Sequence, residues 1–177
     1  RWALGHHQSR WSYSSERQVR TLAKELSLHS MPTDAIHLDI GHMDGYRTFT
    51  WHGKRFPNPK RCIDELAEQG LRAVATTHPG VKIDDGYPLY REGTERDYFC
   101  RTETKQSESH PPFRLRLWAG DSVLPDFGRA PVREWWAEHH APLLEAGVSG
   151  IWIGMNEPSG RKRDIRIGSS GVSLTML

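Results

Sequence analysis

A carboxylate standing just past the end of an apolar strand is a candidate catalytic group, and this sequence places several there. Asp39 follows "AIHL", Asp44 lies five residues on, and Glu157 follows "GIWIGMN" in the stretch "GVSGIWIGMNEPSG". Trp11 and His78 also fall just after strand-like runs, and the same loops carry Tyr13, Tyr46, Phe49, Trp51 and Trp118. Aromatic faces beside carboxylates, with no glycine-rich phosphate loop, suit a sugar better than a nucleotide. A sugar ring offers apolar C–H faces and dense hydroxyl groups. The carboxylates also have a plainer reading. Asp39 and Asp44 could satisfy turn N–H groups, and Glu157 could sit at a turn or helix start; the residues alone leave both open.

Other features point to less. The adjacent pairs His6 with His7 and His139 with His140 project to different faces of any element, so no metal site is expected. Trp135 and Trp136 read as core packing on a helix, "RKRDIR" as a solvated face, and "GSSG" as linker rather than a nucleophile elbow. No local signature supports Ser or Cys nucleophilic catalysis.

The elements that must position these residues alternate. "RWALG" reads as a short strand running into a polar loop. Ser15 as N-cap, with Gln18 three later and apolar Val19, Leu22, Ala23 and Leu26, predicts a helix stopped before Pro32. "DAIHLDI" alternates through Ile36, Leu38 and Ile40, and "NPKRCIDELAEQG" restores helical spacing at Ile63, Leu66 and Ala67, with Gly70 as the stop. "LRAVATTHPG" is a further strand. A less regular stretch leads to "PVREWWAEHHAPLLEAG", read as one helix with Val132, Trp135, Trp136, Leu143 and Leu144 apolar, and then to a strand buried at Val148, Ile151, Trp152 and Ile153. Strand and helix alternate at intervals of roughly 35 residues, which argues an α/β fold with a parallel sheet. A closed (β/α)8 barrel takes about 250 residues. The chain can hold about half of one, or a small doubly wound sheet.

Composition bounds the rest. The 177 residues are 36% hydrophobic and 26% charged with a formal charge of +2, ordinary for a globular domain and without the basic footprint of a nucleic-acid binder. Cys62 and Cys100 cannot form a dense disulfide framework. No signal peptide opens at Arg1 and no apolar run spans a membrane, so the expected location is cytoplasmic; the lack of an initiator Met suggests a start within a longer protein.

Taken together, "RWALGHHQSRWSY", "DAIHLDIGHMDGYRTFTW", "HPGVK", "LPDFGRAPVREWW" and "GVSGIWIGMNEPS" resemble glycoside hydrolase family 31, the α-glucosidase and α-xylosidase family, in order and spacing. The resemblance runs from Arg1 to about Ser159, with residues 160–177 left as an unaligned tail. It implies a retaining α-glycosidase on a (β/α)8 barrel, of which residues 1–159 would form the first four βα units. No cofactor is implied, and the partner is an α-linked oligosaccharide or glucoside rather than nucleic acid or membrane. Carried over motif by motif, Asp39 and Ile40 would hold the terminal sugar, Asp39 accepting hydrogen bonds from its hydroxyls. Trp11, Val81, Trp118, Trp152 and Met155 would wall the same pocket.

Departures from the family pattern are as informative. The retaining mechanism uses two carboxylates about 5–5.5 Å apart, and the family nucleophile is an Asp immediately before the "MNEP" run. Here that position is Gly154. The family acid/base lies on a later barrel strand. His78 stands where Asp is common, and Ala119 follows Trp118 where Pro is usual. The expectation is an inactive half-barrel, with a non-catalytic sugar-binding or regulatory protein and an α-xylosidase as alternatives. Open edges at its first and fourth strands would invite self-association.

Overall fold

A computed structural model describes residues 1–102 and 111–156. They form two compact units, Arg1–Thr77 with His140–Gly154, and His78–His139 continuing from Met155. Glu157 and the segment 160–177 lie outside the described residues.

The first unit is built on a parallel sheet. Its strands β1 (His7–Gln8), β2 (Ala35–Leu38), β3 (Arg72–Thr77) and β7 (Gly150–Ile153) lie side by side in that order, all parallel. Helix α1 (Glu16–Leu28) joins β1 to β2, and α2 (Pro59–Glu68) joins β2 to β3. Helical crossovers are what parallel neighbours require. Ser15 caps α1 by accepting from the Gln18 N–H, and Val19, Ala23 and Leu26 are buried beneath it. Asn58 caps α2 in the same way through the Arg61 N–H, with Pro59 in the first turn, where its missing N–H costs nothing. Gly70 closes α2 at φ +79°. Glu16, 5% exposed, ties the two helices together: its carboxylate accepts from the Asn58 N–H at 2.7 Å and pairs with Arg20 at 2.9 Å, while Arg20 also pairs with Glu65.

Several expected elements shift. "RWALG" is a 3-10 turn, Trp2–Leu4, and the first strand begins later at His7–Gln8, because those residues are the ones that pair with Ala35 and Ile36. Leu4 stays 95% exposed, so the apolar run has no core to enter. In α2 the buried positions are Cys62, Ile63 and Leu66, and Ala67 faces solvent. The single helix read over "PVREWWAEHHAPLLEAG" is two, α4 (Ala130–Glu138) and α5 (Ala141–Glu145). They break at His139 and His140, and Pro142, with no N–H to continue a helix, sits in the first turn of α5. Leu143 is buried and Leu144 is 58% exposed. Trp135 is core, whereas Trp136 is half-buried against Phe127, ring centroids 5.3 Å apart. The strand expected to be buried is so only at Val148, which precedes it; Trp152 and Ile153 are 43% and 65% exposed on an edge strand.

The stretch without clear periodicity holds most of the second unit. Strands β4 (Val81–Lys82), β5 (Arg114–Leu117) and β6 (Gly120–Val123) form an antiparallel sheet in the order β4-β6-β5, preceded in part by helix α3 (Pro88–Glu95). Cys100, Leu115 and Leu124 form a small core with Phe113 and Leu117 packed on it. Phe99 and Tyr98 meet Trp135 of α4 edge-on, and His139 Nε2 donates to the Glu92 carboxylate at 3.0 Å. Among the described residues no helix is long and apolar enough to cross a membrane.

Candidate sugar-binding site

Strand alternation fixes which residues share a face. In parallel neighbours the residues in register lie on the same side of the sheet, so His7, Ala35, His37, Val74, Thr76, Gly150 and Trp152 form one face. Asp39, two residues beyond His37, continues it at the carboxyl end of β2. Gly154 continues it at the end of β7, and its N–H donates to the Thr77 carbonyl at 3.0 Å, extending the β3–β7 ladder to that position.

Asp39 is held by its own turn. Its Oδ1 accepts from the Ile40 N–H at 2.6 Å as the cap of a 3-10 turn, Ile40–His42, and its carbonyl accepts from His42 Nδ1 at 2.8 Å. Ser12, at φ 62°, accepts from the Gly41 N–H at 2.9 Å, which joins the loop after β1 to the loop after β2. A Cβ at Gly41 would lie 2.6 Å from that of Ser12, so only glycine fits the approach. His42, 1% exposed, packs against Trp51 at 4.9 Å, and the Trp51 indole donates to the Pro142 carbonyl at 3.2 Å. Phe49 lies 4.5 Å from His140. The loop after β2 is thereby anchored to α5. Within it Asp44 behaves as a turn carboxylate, 3.3 Å from Arg47, its own N–H donating to Thr50 Oγ1.

Among the described residues that follow β7, Gly154, Met155 and Asn156, none is an acid. Among the described residues, a Cβ built on Gly154 would meet Trp152 alone, at 3.6 Å, an ordinary contact. A side chain could therefore start there without displacing a described residue, and the sequence carries none.

The structure distributes the expected site residues over both units. Asp39, Ile40, Trp152 and Gly154 stand at strand ends of the first unit, with Ile40 buried and Trp11 70% exposed in the loop after β1. In the second unit Trp118 and Met155 come together, lining a small cavity with His78, Pro79, Gly80 and Leu117. Trp118 occupies the β5–β6 hairpin turn rather than the end of a parallel strand, and Met155 takes a left-handed backbone, φ 56°. Val81 is wholly buried on β4 beside Val123. His78 is 3% exposed. No group of three or more His, Cys, Asp or Glu side chains that could hold a metal ion occurs among the described residues.

Sequence reasoning passed over Ser12, His42 and His37 and weighed His7 only as a metal ligand. The two imidazoles touch, His7 Nδ1 to His37 Nε2 at 2.9 Å. Burial, and next His7, push the His37 pKa below the ordinary imidazole value, while Asp39 pulls it back up. The pattern "HLD" held the signal, because a residue two before Asp39 on a strand must share its face.

The parallel order, the carboxylate at the end of β2 and the pattern around Gly154 meet in one comparison: the pattern of the glycosyl hydrolases family 31 TIM-barrel domain matches residues 1–170. The chain belongs to glycosyl hydrolase family 31. Its four parallel strands and their helices are a partial α/β barrel of that TIM-barrel domain. Among relatives, "Alpha-glucosidase 2" of Bacillus thermoamyloliquefaciens is 46% identical over 159 residues, 90% of this chain and 20% of that protein. The crystal structure of a glucosidase II alpha subunit in its "alpha3-Glc2-bound" form matches with TM-score 0.81 and 29% identity, covering 99% of this chain and 18% of that one. A family 31 alpha-glucosidase from Bacteroides thetaiotaomicron matches with TM-score 0.76 and 38% identity, covering 89% and 26%. The chain thus spans about a fifth of the length of the curated relative.

Proposed function

We propose that this chain contributes the Asp39 side of an α-glucoside pocket and does not itself hydrolyse the glycosidic bond. One observation carries the reading: the face that bears Asp39 at the end of β2 bears Gly154 at the end of β7, where the family pattern puts its nucleophile. A retaining glycosidase forms a covalent glycosyl-enzyme through that carboxylate. A glycine offers no atom to attack the anomeric carbon. Loss of a covalent catalytic residue lowers kcat by on the order of 10⁶ in the protease example. Asp39, an ionic acceptor already braced by the Ile40 N–H, is suited to sugar hydroxyl donors, and Trp152, 43% exposed on the same face, offers an indole for C–H faces.

The α-glucosidase names of the relatives favour a glucoside over a xyloside as the ligand. Calorimetry with maltose, glucose and xylose tests this. Heat of binding for maltose or glucose that is lost in Asp39→Ala supports the reading, and a preference for xylose moves it to the α-xylosidase alternative. No specific binding to any of the three contradicts it.

A further inference from the structure

Four rings form a row on the inner face of the parallel sheet. Trp2 stacks on His7 at 5.8 Å, His7 meets His37 at 5.2 Å, and His37 meets Trp152 edge-on at 5.7 Å. Hydrogen bonding fixes the protons within it. His7 Nε2 lies 3.2 Å from the Trp2 carbonyl oxygen, which can only accept, so His7 carries its proton on Nε2. In the neutral ring its Nδ1 is then a lone pair, and the 2.9 Å bond to His37 is donated by His37 Nε2. That leaves His37 Nδ1 as a bare acceptor, buried and without a hydrogen-bond partner among the described residues. One backbone carbonyl thus sets the tautomer of both rings, and an additional proton has a single place to go.

We propose that His7 and His37 are positioning residues for the sugar pocket, a tautomer-locked pair that holds Trp152 and the end of β2 in their sugar-binding arrangement only while the pair is neutral. This rests on the reading of Asp39 and Trp152 as sugar-binding groups. A proton on His37 Nδ1 is a buried donor with no acceptor, which disfavours the ring packing that seats Trp152. The charges facing His37 are few. β1 presents His7, β2 presents Asp39, and β3 presents uncharged Val74 and Thr76, with Arg72 exposed one step down the strand beside Ala35. β7 presents Gly150 and Trp152, and the first turn presents Trp2.

The sign of the coupling follows from Asp39. Its negative charge favours a proton on His37. A sugar hydroxyl donating to Asp39 spreads that charge and weakens the attraction, so sugar and proton oppose each other. Linkage is reciprocal: if sugar expels the proton, the proton weakens the sugar. Affinity is therefore highest with the pair neutral and falls as pH drops through the titration of His37, by on the order of fivefold, the low end of coupling between sites.

The experiment uses the 177-residue chain and maltose. Nitrogen-15 imidazole spectra at pH 7.5 are expected to show His7 protonated on Nε2 and His37 protonated on Nε2 with Nδ1 bare. A His7 ring protonated on Nδ1 overturns the relay without recourse to any variant. Calorimetric titrations from pH 7.5 to pH 5.5 should show weakening affinity, with protons released on binding at the acid end. His37→Gln, whose amide can still donate to His7 but does not titrate, should flatten that dependence, whereas His37→Phe should weaken binding at both pH values. Maltose binding that is independent of pH, or that keeps its full pH dependence in His37→Gln, overturns this proposal and leaves the Asp39 reading standing. Absence of maltose binding at every pH overturns both.

Discussion

Strands β2 and β7 flank β3, run in the same direction and end at the same edge of one sheet, yet their ends differ in almost every property that matters for chemistry. β2 is deeply covered, with Ile36 and Leu38 0% and 3% exposed, and it delivers a carboxylate braced by the next N–H. β7 leaves Trp152 and Ile153 largely open and delivers a glycine. β7 pairs with β3 alone, yet that ladder runs on to the Gly154 N–H. The comparison separates two things that a family pattern merges. The ladder determines where a side chain points, and a single residue determines whether anything reactive arrives there.

Mutations can press on that difference, beginning with the largest effect. Ile36→Ala empties a fully buried site and is expected to cost about 2–5 kcal/mol in urea unfolding. Ile153→Ala, at 65% exposure, should stay within about 0.5 kcal/mol. Equal losses at the two positions would mean that β7 is covered in solution as β2 is.

At the ligand level, Asp39→Ala should weaken maltose binding by at least about tenfold, the effect of losing a charged hydrogen-bond acceptor of roughly 1.5–3 kcal/mol. Unchanged affinity in that variant would place the sugar elsewhere.

A smaller effect is expected with pH. The folded chain depresses the His37 pKa, so the native state binds fewer protons there than the unfolded state. Stability from this group is fully present above the ordinary imidazole pKa of about 6.5 and declines as pH falls below it towards the folded value. Thermal unfolding between pH 7.5 and pH 5 should show this decline, reduced in His37→Gln. A small effect is also expected of Gly154→Asp, less than about 1 kcal/mol, because among the described residues its Cβ meets only an ordinary contact. A large destabilisation would show that the end of β7 cannot accept a carboxylate, and that the glycine is a structural requirement.

The buried thiols report on each unit separately. Cys62 and Cys100 are each 3–5% exposed, and burial pushes both pKa values up to about 11. Neither should react with a thiol reagent at neutral pH in the folded chain, and both should react in urea. Fast labelling of Cys100 alone would indicate that the second unit opens independently of the first.

Legibility in the sequence followed the physics of each region. Helices α1 and α2 were visible because the Ser15 cap of the first, the Gly70 stop of the second and the apolar spacing of both are local. The parallel order was visible because crossovers demand helices between strands. The antiparallel sheet of the second unit escaped, since β4 to β6 are two to four residues long and join through a hairpin whose register depends on partners distant in sequence. The first strand was misplaced by its apolar neighbours: pairing with β2, not hydrophobicity, selects His7 and Gln8. Of the candidate site, Asp39 and Gly154 were legible from motif and strand end. The His7–His37 contact was not, because it joins residues 30 positions apart through a sheet register that no local pattern encodes. Asp44, offered as a site residue or a turn residue, resolves as the turn residue through Arg47 and Thr50.

The central proposal is that the scaffold presents a sugar-binding carboxylate, Asp39, at the end of β2 and a glycine, Gly154, in place of a nucleophile at the end of β7. It is tested most directly by incubating the purified chain with an aryl α-glucoside and following aryl release. The account predicts no release above the buffer rate. Turnover that disappears in Asp39→Ala would contradict it, because the chain would then cleave the bond without a carboxylate at position 154.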